Sequence, residues 1–343
     1  MFLFSGENPL MAKAELESVL IGERINFHNL YFSEEDRIGI YKIEGNDLER
    51  IFSRLILTHK VYSYIFFSDH KNFYDSAKRI SWNLYIEPPY YVRVIRIPSG
   101  NKALQGIREK FADIIWYSLK NPKVDVRNPK TIIDVIVTPK KVFVGRLFLD
   151  VKALRKDLKN RNPEKRPIFH PAALRPKEAR LLINFARVKP GDLILDPFCG
   201  VGSILIEACL MGIRSIGIDI NEDFVEGAKI NLEHYCKNKN WEVYVGDATK
   251  LTKYIKEKVD AIVTDPPYGR SSKGTKDLET LYKEFLDEAY HVLKDNKFIS
   301  MFVPHYLKEY FEKIASEKYK IIYHFPIYVH KSLTRVLYVL QKT

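Results

Sequence analysis

Asp265-Pro266-Pro267-Tyr268 closes the apolar run Val259 to Thr264 and brings a carboxylate, a backbone carbonyl and an aromatic ring together in four residues. Asp265 and the Pro266 carbonyl are two acceptors for the two N–H bonds of a planar amine. Pro267 stiffens the turn, and the Tyr268 ring offers a face for stacking. An exocyclic amine on a heterocycle is a poor nucleophile because its lone pair is delocalised. Acceptors that hold it in line with an electrophile, and bind more tightly as its nitrogen becomes cationic, are what its alkylation requires. Attack through a ring carbon would instead need a cysteine nucleophile. No cysteine stands in the tetrapeptide, and Cys199, in a separate loop, reads as a small packed residue.

That separate loop is Asp196-Pro197-Phe198-Cys199-Gly200-Val201-Gly202, between a short apolar strand, Asp192 to Leu195, and a helix, Ser203 to Met211. Gly200 and Gly202 allow close backbone approach to a ligand and positive φ, and the helix start offers unpaired N–H groups. The pyrophosphate fingerprint GxGxxG is not met. The acid before the glycines would repel a dinucleotide's phosphates and suit an ammonium group. Asp219 ends the next predicted strand, Arg214 to Ile218, and is placed to accept from a ribose diol. Asp247 follows the third, Trp241 to Val245, within Gly246-Asp247-Ala248, and is placed to accept from an adenine amine. Three carboxylates at the ends of successive strands converge on one edge of an α/β sheet, where such folds bind ligands.

Further strands are predicted over Val259 to Thr264, Lys297 to Val303, Ile321 to Tyr328 and Arg335 to Gln341. Helices are predicted over Glu222 to Cys236, Leu251 to Lys258, Lys276 to Leu293 and Tyr306 to Ser316. Upstream, strands are predicted at Arg37–Ile43, Val61–Phe67, Tyr90–Ile97, Thr131–Thr138 and Val142–Asp150, with helices after Pro9, over Leu48–Leu57, over Phe73–Ile80 and over Lys102–Leu119. In the last of these, Arg108, Lys110 and Lys120 lie on the polar side, as a solvated face or an RNA contact. A length of 343 residues predicts two domains. The expected division is an N-terminal region over 1–150, a basic linker over 151–167 interrupted by prolines, and a βαβ domain over 168–343.

The net charge of +12 favours a polyanionic partner. It is uneven: residues 1–166 carry 29 Lys or Arg against 20 Asp or Glu, and residues 167–343 carry 26 against 23. Three cysteines, an odd count without metal-ligand spacing, argue against a secreted disulfide framework and suit a reducing cytoplasm. The histidines form no metal-binding cluster, so no metal is expected. No apolar run approaches the ~20 residues of a membrane span.

The cofactor-loop pattern resembles the class I S-adenosylmethionine-dependent methyltransferases. The longer string Thr264-Asp265-Pro266-Pro267-Tyr268-Gly269-Arg270-Ser271-Ser272 resembles the archaeal tRNA guanine-N2 methyltransferases that modify position 10. The resemblance extends to Gly6-Glu7-Asn8-Pro9, to Phe169-His170-Pro171-Ala172-Ala173-Leu174-Arg175-Pro176, and to His330-Lys331-Ser332-Leu333-Thr334-Arg335. It implies a Rossmann-like class I methyltransferase domain with a seven-stranded, mostly parallel sheet. An α+β ferredoxin-like and THUMP RNA-binding region would precede it.

The implied cofactor is S-adenosyl-L-methionine and the implied partner tRNA, with a monomer left open as the assembly. Carried onto this chain, Phe169, His170 and Pro171 would wall the cofactor pocket. Asp196, Gly200 and Gly202 would hold the methionine end, Asp219 the ribose, and Asp247 with Ala248 the adenine. Asp265, Pro266 and Tyr268 would receive guanine, whereas Arg175 and Arg335 are as well explained as structural ion-pair residues. Asp-Pro-Pro-Tyr also occurs in adenine-N6 methyltransferases. A guanine at another tRNA position or in rRNA, an adenine-N6 target, and an RNA-binding module with an inactive catalytic half therefore remain open at the level of sequence.

Overall fold

A computed structural model describes residues 1–237, 240–269, 277–330 and 333–343. Arg270, Ser271 and Ser272 of the motif string, and Lys331 and Ser332 of the hairpin string, lie outside the described residues. The chain forms two compact units. The first comprises Met1–Lys13, Phe27–Ser53 and Leu57–Leu154. The second comprises Ala14–Asn26, Arg54–Ile56 and Arg155–Thr343, so it takes two short pieces from the N-terminal part.

Elements of the first part of the chain are β1 (Phe2–Phe4), α1 (Pro9–Gly22), β2 (Asn26–Ser33), β3 (Ile38–Glu44), α2 (Leu48–Ser53), β4 (Thr58–Asp69), α3 (Phe73–Lys78), β5 (Tyr90–Arg96), α4 (Ile107–Ser118), β6 (Thr131–Val137), β7 (Lys141–Leu149) and α5 (Val151–Leu154). Their strands make one sheet in the order β2-β3-β1-β4-β7-β6-β5. It is antiparallel at β1/β3, β1/β4, β4/β7 and β6/β7 and parallel at β5/β6. Strands β1 and β2 are additions to the sequence reading. β1 has only three residues, too few to show alternation, and β2 is partly or fully exposed along its length, without an inward face to mark it. The aromatic core of this unit gathers Phe66, Phe73, Trp82 and Phe111, all buried.

The second unit is built from α6 (Pro176–Phe185), β8 (Leu193–Asp196), α7 (Ser203–Leu210), β9 (Arg214–Asp219), α8 (Glu222–Tyr235), β10 (Trp241–Val245), β11 (Val259–Thr264), α9 (Leu278–Val292), β12 (Leu293–Pro304), α10 (Lys308–Ala315), β13 (Tyr319–His330) and β14 (Leu333–Lys342). The sheet order is β10-β9-β8-β11-β12-β14-β13. The pairs from β10 to β12 are parallel, and β14 runs antiparallel to both its neighbours. β8 is buried at every residue and β11 at all but Asp260, as expected of central strands covered on both faces. The sequence direction of the sheet reverses between β8 and β11, which opens a crevice beyond their C-terminal ends. Asn221 caps α8, its side chain accepting from the N–H groups of Asp223 (2.9 Å) and Phe224 (3.3 Å), a device worth about 1 kcal/mol.

One expectation is corrected. The helix predicted over Leu251 to Lys258 is a 3-10 turn over Ala248–Lys253, broken by non-helical dihedrals at Lys250. The basic stretch read as a linker folds into α5 and short 3-10 turns. Within the second unit, two of its arginines bind inward. Arg161 makes a two-point contact with the buried Glu207 (2.8 and 3.1 Å), and Arg166 donates to Ser203 Oγ (2.6 Å) at the start of α7. Cys209 and Cys236 form a disulfide joining the end of α7 to the residue after α8, with Cys199 free and buried. Their separation of 27 residues carries no recognisable spacing. Among the described residues, no helix is long and apolar enough to cross a membrane.

Candidate active site

The strand ends bring the sequence-predicted acids together in the second unit. Asp196, last residue of β8, is 1% exposed. Its Oδ1 accepts from Thr264 Oγ1 at 2.7 Å and from the Phe198 N–H at 3.3 Å. Burial pushes its carboxyl up to about 8, against these hydrogen bonds and with reinforcement from the nearby charges of Asp219 and Asp265. Gly200 (φ +49°) and Gly202 (φ +87°) both adopt the left-handed backbone that the sharp turn into α7 demands. A Cβ at Gly200 would meet nothing within 4 Å, so the loop faces open space there.

Asp219 accepts from the Gly200 N–H (2.8 Å) through Oδ2 and from the Asn221 N–H (2.9 Å) through Oδ1. Burial raises its carboxyl, and His170 counteracts part of that rise. Each oxygen keeps a further lone pair for a ligand hydroxyl. The Gly246 N–H donates to the Asp219 carbonyl at 2.9 Å, which sets Asp247 beside this strand end. Asp247 Oδ1 takes the Thr249 N–H (2.9 Å) and hydroxyl (2.7 Å), and its Oδ2 lies 3.0 Å from Lys250 Nζ. Burial works upward on this carboxyl, but the Thr249 bonds and Lys250 outweigh it and hold it below the ordinary range. Ala248 is buried behind it. The His170 ring lies edge-on to Phe224 (centroids 4.8 Å apart), and its Nδ1 accepts from the Ala172 N–H at 3.3 Å. Phe169 and Pro171 are exposed.

The residues present fit a small cationic ligand. Asp196, Asp219 and Asp265 sit close enough for their charges to interact, and burial raises all three carboxyls. A positive ligand beside them would relieve both penalties. The glycine turn leaves room for it. Cys199 packs among Leu205, Ile206 and Val225, and burial pushes its thiol well up, which suits a packing role and not a nucleophile.

Asp265 follows β11 and keeps 15% side-chain exposure. Burial pushes its carboxyl up to about 6, while Arg335 and Tyr268 pull it down and Glu178 pushes it further up. The Tyr268 hydroxyl donates to Asp265 Oδ1. The loop is strapped from behind: Tyr306 OH donates to the Tyr268 carbonyl at 2.7 Å, Tyr282 OH to the Pro267 carbonyl at 3.5 Å, and Gly269 turns at φ +75°. Pro266 is buried. Sequence reasoning passed over Thr264, Glu178, Tyr282 and Tyr306. Glu178, three residues after Arg175, carries only a helix-capping signal, and it does accept the Arg175 N–H (3.0 Å). The tyrosines give no local signal because they reach the loop from distant elements.

A parallel sheet with an antiparallel last strand, a glycine turn, strand-end acids and an Asp-Pro-Pro-Tyr loop at the topological switch define a class I methyltransferase. A family model described as RMKL-like, methyltransferase domain matches residues 163–334. A DNA methylase model matches residues 27–230, which include the glycine turn but end before Asp265. The chain is 37% identical to the tRNA (guanine(10)-N2)-dimethyltransferase of Methanothermobacter thermautotrophicus, over all of this chain and 99% of that protein. It is 34% identical to the Pyrococcus abyssi enzyme of the same name, covering 97% of this chain and 96% of that one. TrmN from Thermus thermophilus shares the fold, with a TM-score of 0.53 at 18% identity over 100% of this chain and 98% of that one. The chain belongs to the tRNA (guanine(10)-N2)-dimethyltransferase family.

Proposed function

We propose that the protein adds one or two methyl groups from S-adenosyl-L-methionine to the exocyclic N2 of guanine at position 10 of tRNA. The observation that carries this reading is Asp265, a half-withdrawn carboxylate at the switch point beside the glycine turn, in a chain alignable end to end with enzymes of that name.

When bound, S-adenosylmethionine supplies an electrophilic methyl group. Asp196, Gly200 and Gly202 hold its methionine end, Asp219 the ribose, and Asp247 with Ala248 the adenine, with Phe169, His170 and Pro171 as a wall. Asp265 and the Pro266 carbonyl accept the two N–H bonds of the guanine amine. To do so, Asp265 exchanges the Tyr268 hydroxyl for a base N–H, and the freed ring offers its face to the base. As N2 gains a methyl group it gives up one proton, and a carboxylate raised to about 6 is matched to take it near neutral pH. Drawing a stacked base into the site costs a few kcal/mol, offset by stacking on Tyr268.

The N-terminal region, residues 1–150 with 151–167 as a connector, is the tRNA-binding part. Supporting this are the basic excess of residues 1–166 and a shallow cleft of about 450 Å³ lined by Tyr91, Arg93, Arg96 and Arg108. The setting is cytoplasmic. Nucleoside mass spectrometry with fragment mapping, on an unmodified tRNA transcript incubated with protein and S-adenosylmethionine, tests the reading. Methylguanosine at position 10 is expected, and a dimethyl product fixes multiplicity. Modification at another nucleotide, or none with cofactor bound, overturns the substrate.

A further inference from the structure

Three side chains from three elements meet beside Asp265. Arg335 on β14 is 5% exposed and lays its guanidinium carbon 3.8 Å from the ring centroid of Phe302 on β12. Its Nη2 donates to Glu178 on α6, its Nη1 stands 3.9 Å from Asp265 Oδ2, and its buried Nε has no hydrogen-bond partner among the described residues. A structural ion pair would close on its carboxylate with two direct bonds. This arginine instead donates to Glu178 through Nη2 and stops beyond hydrogen-bonding distance of Asp265. Its charge therefore acts on Asp265 while the carboxylate keeps its lone pairs for a ligand.

We propose that Arg335 is a positioning residue that keeps Asp265 ionised and oriented for the amine, with Glu178 as the tether that limits how closely the guanidinium approaches. The proposal rests on the reading of Asp265 as the acceptor of the guanine amine. Stacking on Phe302 fixes the guanidinium plane, and the contact with Glu178 fixes its rotation, so its distance from Asp265 is set by three elements of the fold. The other groups facing Asp265 are Tyr268 in its own loop, Asp196 on β8 and Tyr282 on α9. None of these is a cation, so Arg335 is the source of positive charge for this carboxylate among the described residues. The directions at Asp265 agree: Arg335 lowers its carboxyl and Glu178 raises it, so losing either charge moves the site in opposite senses.

The test compares the full-length protein with Arg335→Gln, Arg335→Lys and Glu178→Gln. Single-turnover methylation of a tRNA transcript is followed from about pH 5 to pH 9, covering both sides of the value near 6. In parallel, the Asp265 carboxyl is titrated by 13C NMR in cofactor-free protein, with Asp265→Asn providing the assignment, and S-adenosylmethionine affinity is measured by calorimetry. For Arg335→Gln, the acid limb and the carboxyl titration are expected to move up by about one pH unit. Its rate should fall roughly tenfold at low pH and recover toward wild type at high pH, with cofactor affinity within about twofold. Arg335→Lys should restore much of the limb, and Glu178→Gln should move it down. A rate loss equal at every pH with an unmoved carboxyl titration overturns the proposal, as does a shift in the same direction for Arg335→Gln and Glu178→Gln. Should Arg335→Gln fail to bind cofactor, the direction of Glu178→Gln decides. A wild-type protein that yields no methylguanosine would defeat the reading of the reaction, and the carboxyl titration would still decide whether Arg335 governs Asp265.

Discussion

Asp134 in the first unit and Asp265 in the second are both carboxylates withdrawn from water and facing an arginine. Asp134 is fully buried and takes three direct donors: Arg93 Nε and Nη2 reach its two oxygens at 2.7 and 2.8 Å, Tyr62 OH donates at 2.9 Å, and Lys60 Nζ stands at 4.0 Å. Asp265 receives one tyrosine hydroxyl, and its arginine stays 3.9 Å away, engaged with Glu178. The same pair of residue types is a cross-link in one place and an incomplete acceptor in the other. The number of donors within bonding distance separates them, because a carboxylate has about four acceptor positions and only unfilled ones can serve a substrate.

Exchanging the two acids is the strongest way to break this comparison. Asp265→Ala should lower the single-turnover rate by about a thousandfold or more, with tRNA affinity in filter binding and the denaturation midpoint nearly unchanged. Asp134→Ala should instead cost about 2–3 kcal/mol of stability, since it leaves the buried Tyr62 hydroxyl and the partly buried Arg93 without their shared acceptor. The rate per folded molecule should persist. Equal stability losses in the two variants would remove the distinction.

Asp196 extends the contrast to the cofactor side. Asp196→Asn should weaken S-adenosylmethionine roughly 30- to 100-fold in calorimetry, by removal of a buried charge partner. It should also stabilise the cofactor-free protein. A carboxyl raised from 3.8 to about 8 binds its proton more tightly folded than unfolded. Its stabilising contribution is therefore present below pH ~4 and lost as pH rises to ~8. The gain in melting temperature should grow across that window, and a gain that is flat with pH would contradict a neutral native Asp196.

Tyr268 separates hydroxyl from ring. Tyr268→Ala should cost about tenfold in single-turnover rate by losing base stacking. Tyr268→Phe should change it by less than about threefold, since the hydroxyl must leave Asp265 before the base enters. A Phe variant as slow as the Ala variant would assign the hydroxyl a direct part. The smallest effect is expected in the first unit. Lys110→Ala combined with Lys120→Ala should weaken tRNA binding about three- to tenfold and flatten its salt dependence, without altering the rate at saturating tRNA.

The second unit was far more legible in sequence than the first. Its predicted strands correspond to β8 through β14 because central parallel strands are continuous apolar runs, and the acids and glycines at their ends are local in sequence. In the first unit, β1 and β2 were missed because one is too short and the other too exposed to show a period. For the basic stretch before α6, composition counts charges and cannot say which face inward. Arg161 and Arg166 meet Glu207 and Ser203, more than thirty residues away.

By itself, the sequence determined the chemistry on offer: a glycine turn beside an acid, acids following three strands, and an amine-accepting Asp-Pro-Pro-Tyr. These depend on neighbours along the chain, and local steric and hydrogen-bonding rules act over such distances. Only the tertiary structure decided which carboxylates are mostly filled by donors and which keep most of their acceptor positions free. That difference is set by Arg93 and Tyr62 closing on Asp134, and by Glu178 and Phe302 holding Arg335 short of Asp265. Desolvation and charge act through space, so a carboxylate's state depends on residues that the fold, and not the order of the chain, brings to its side.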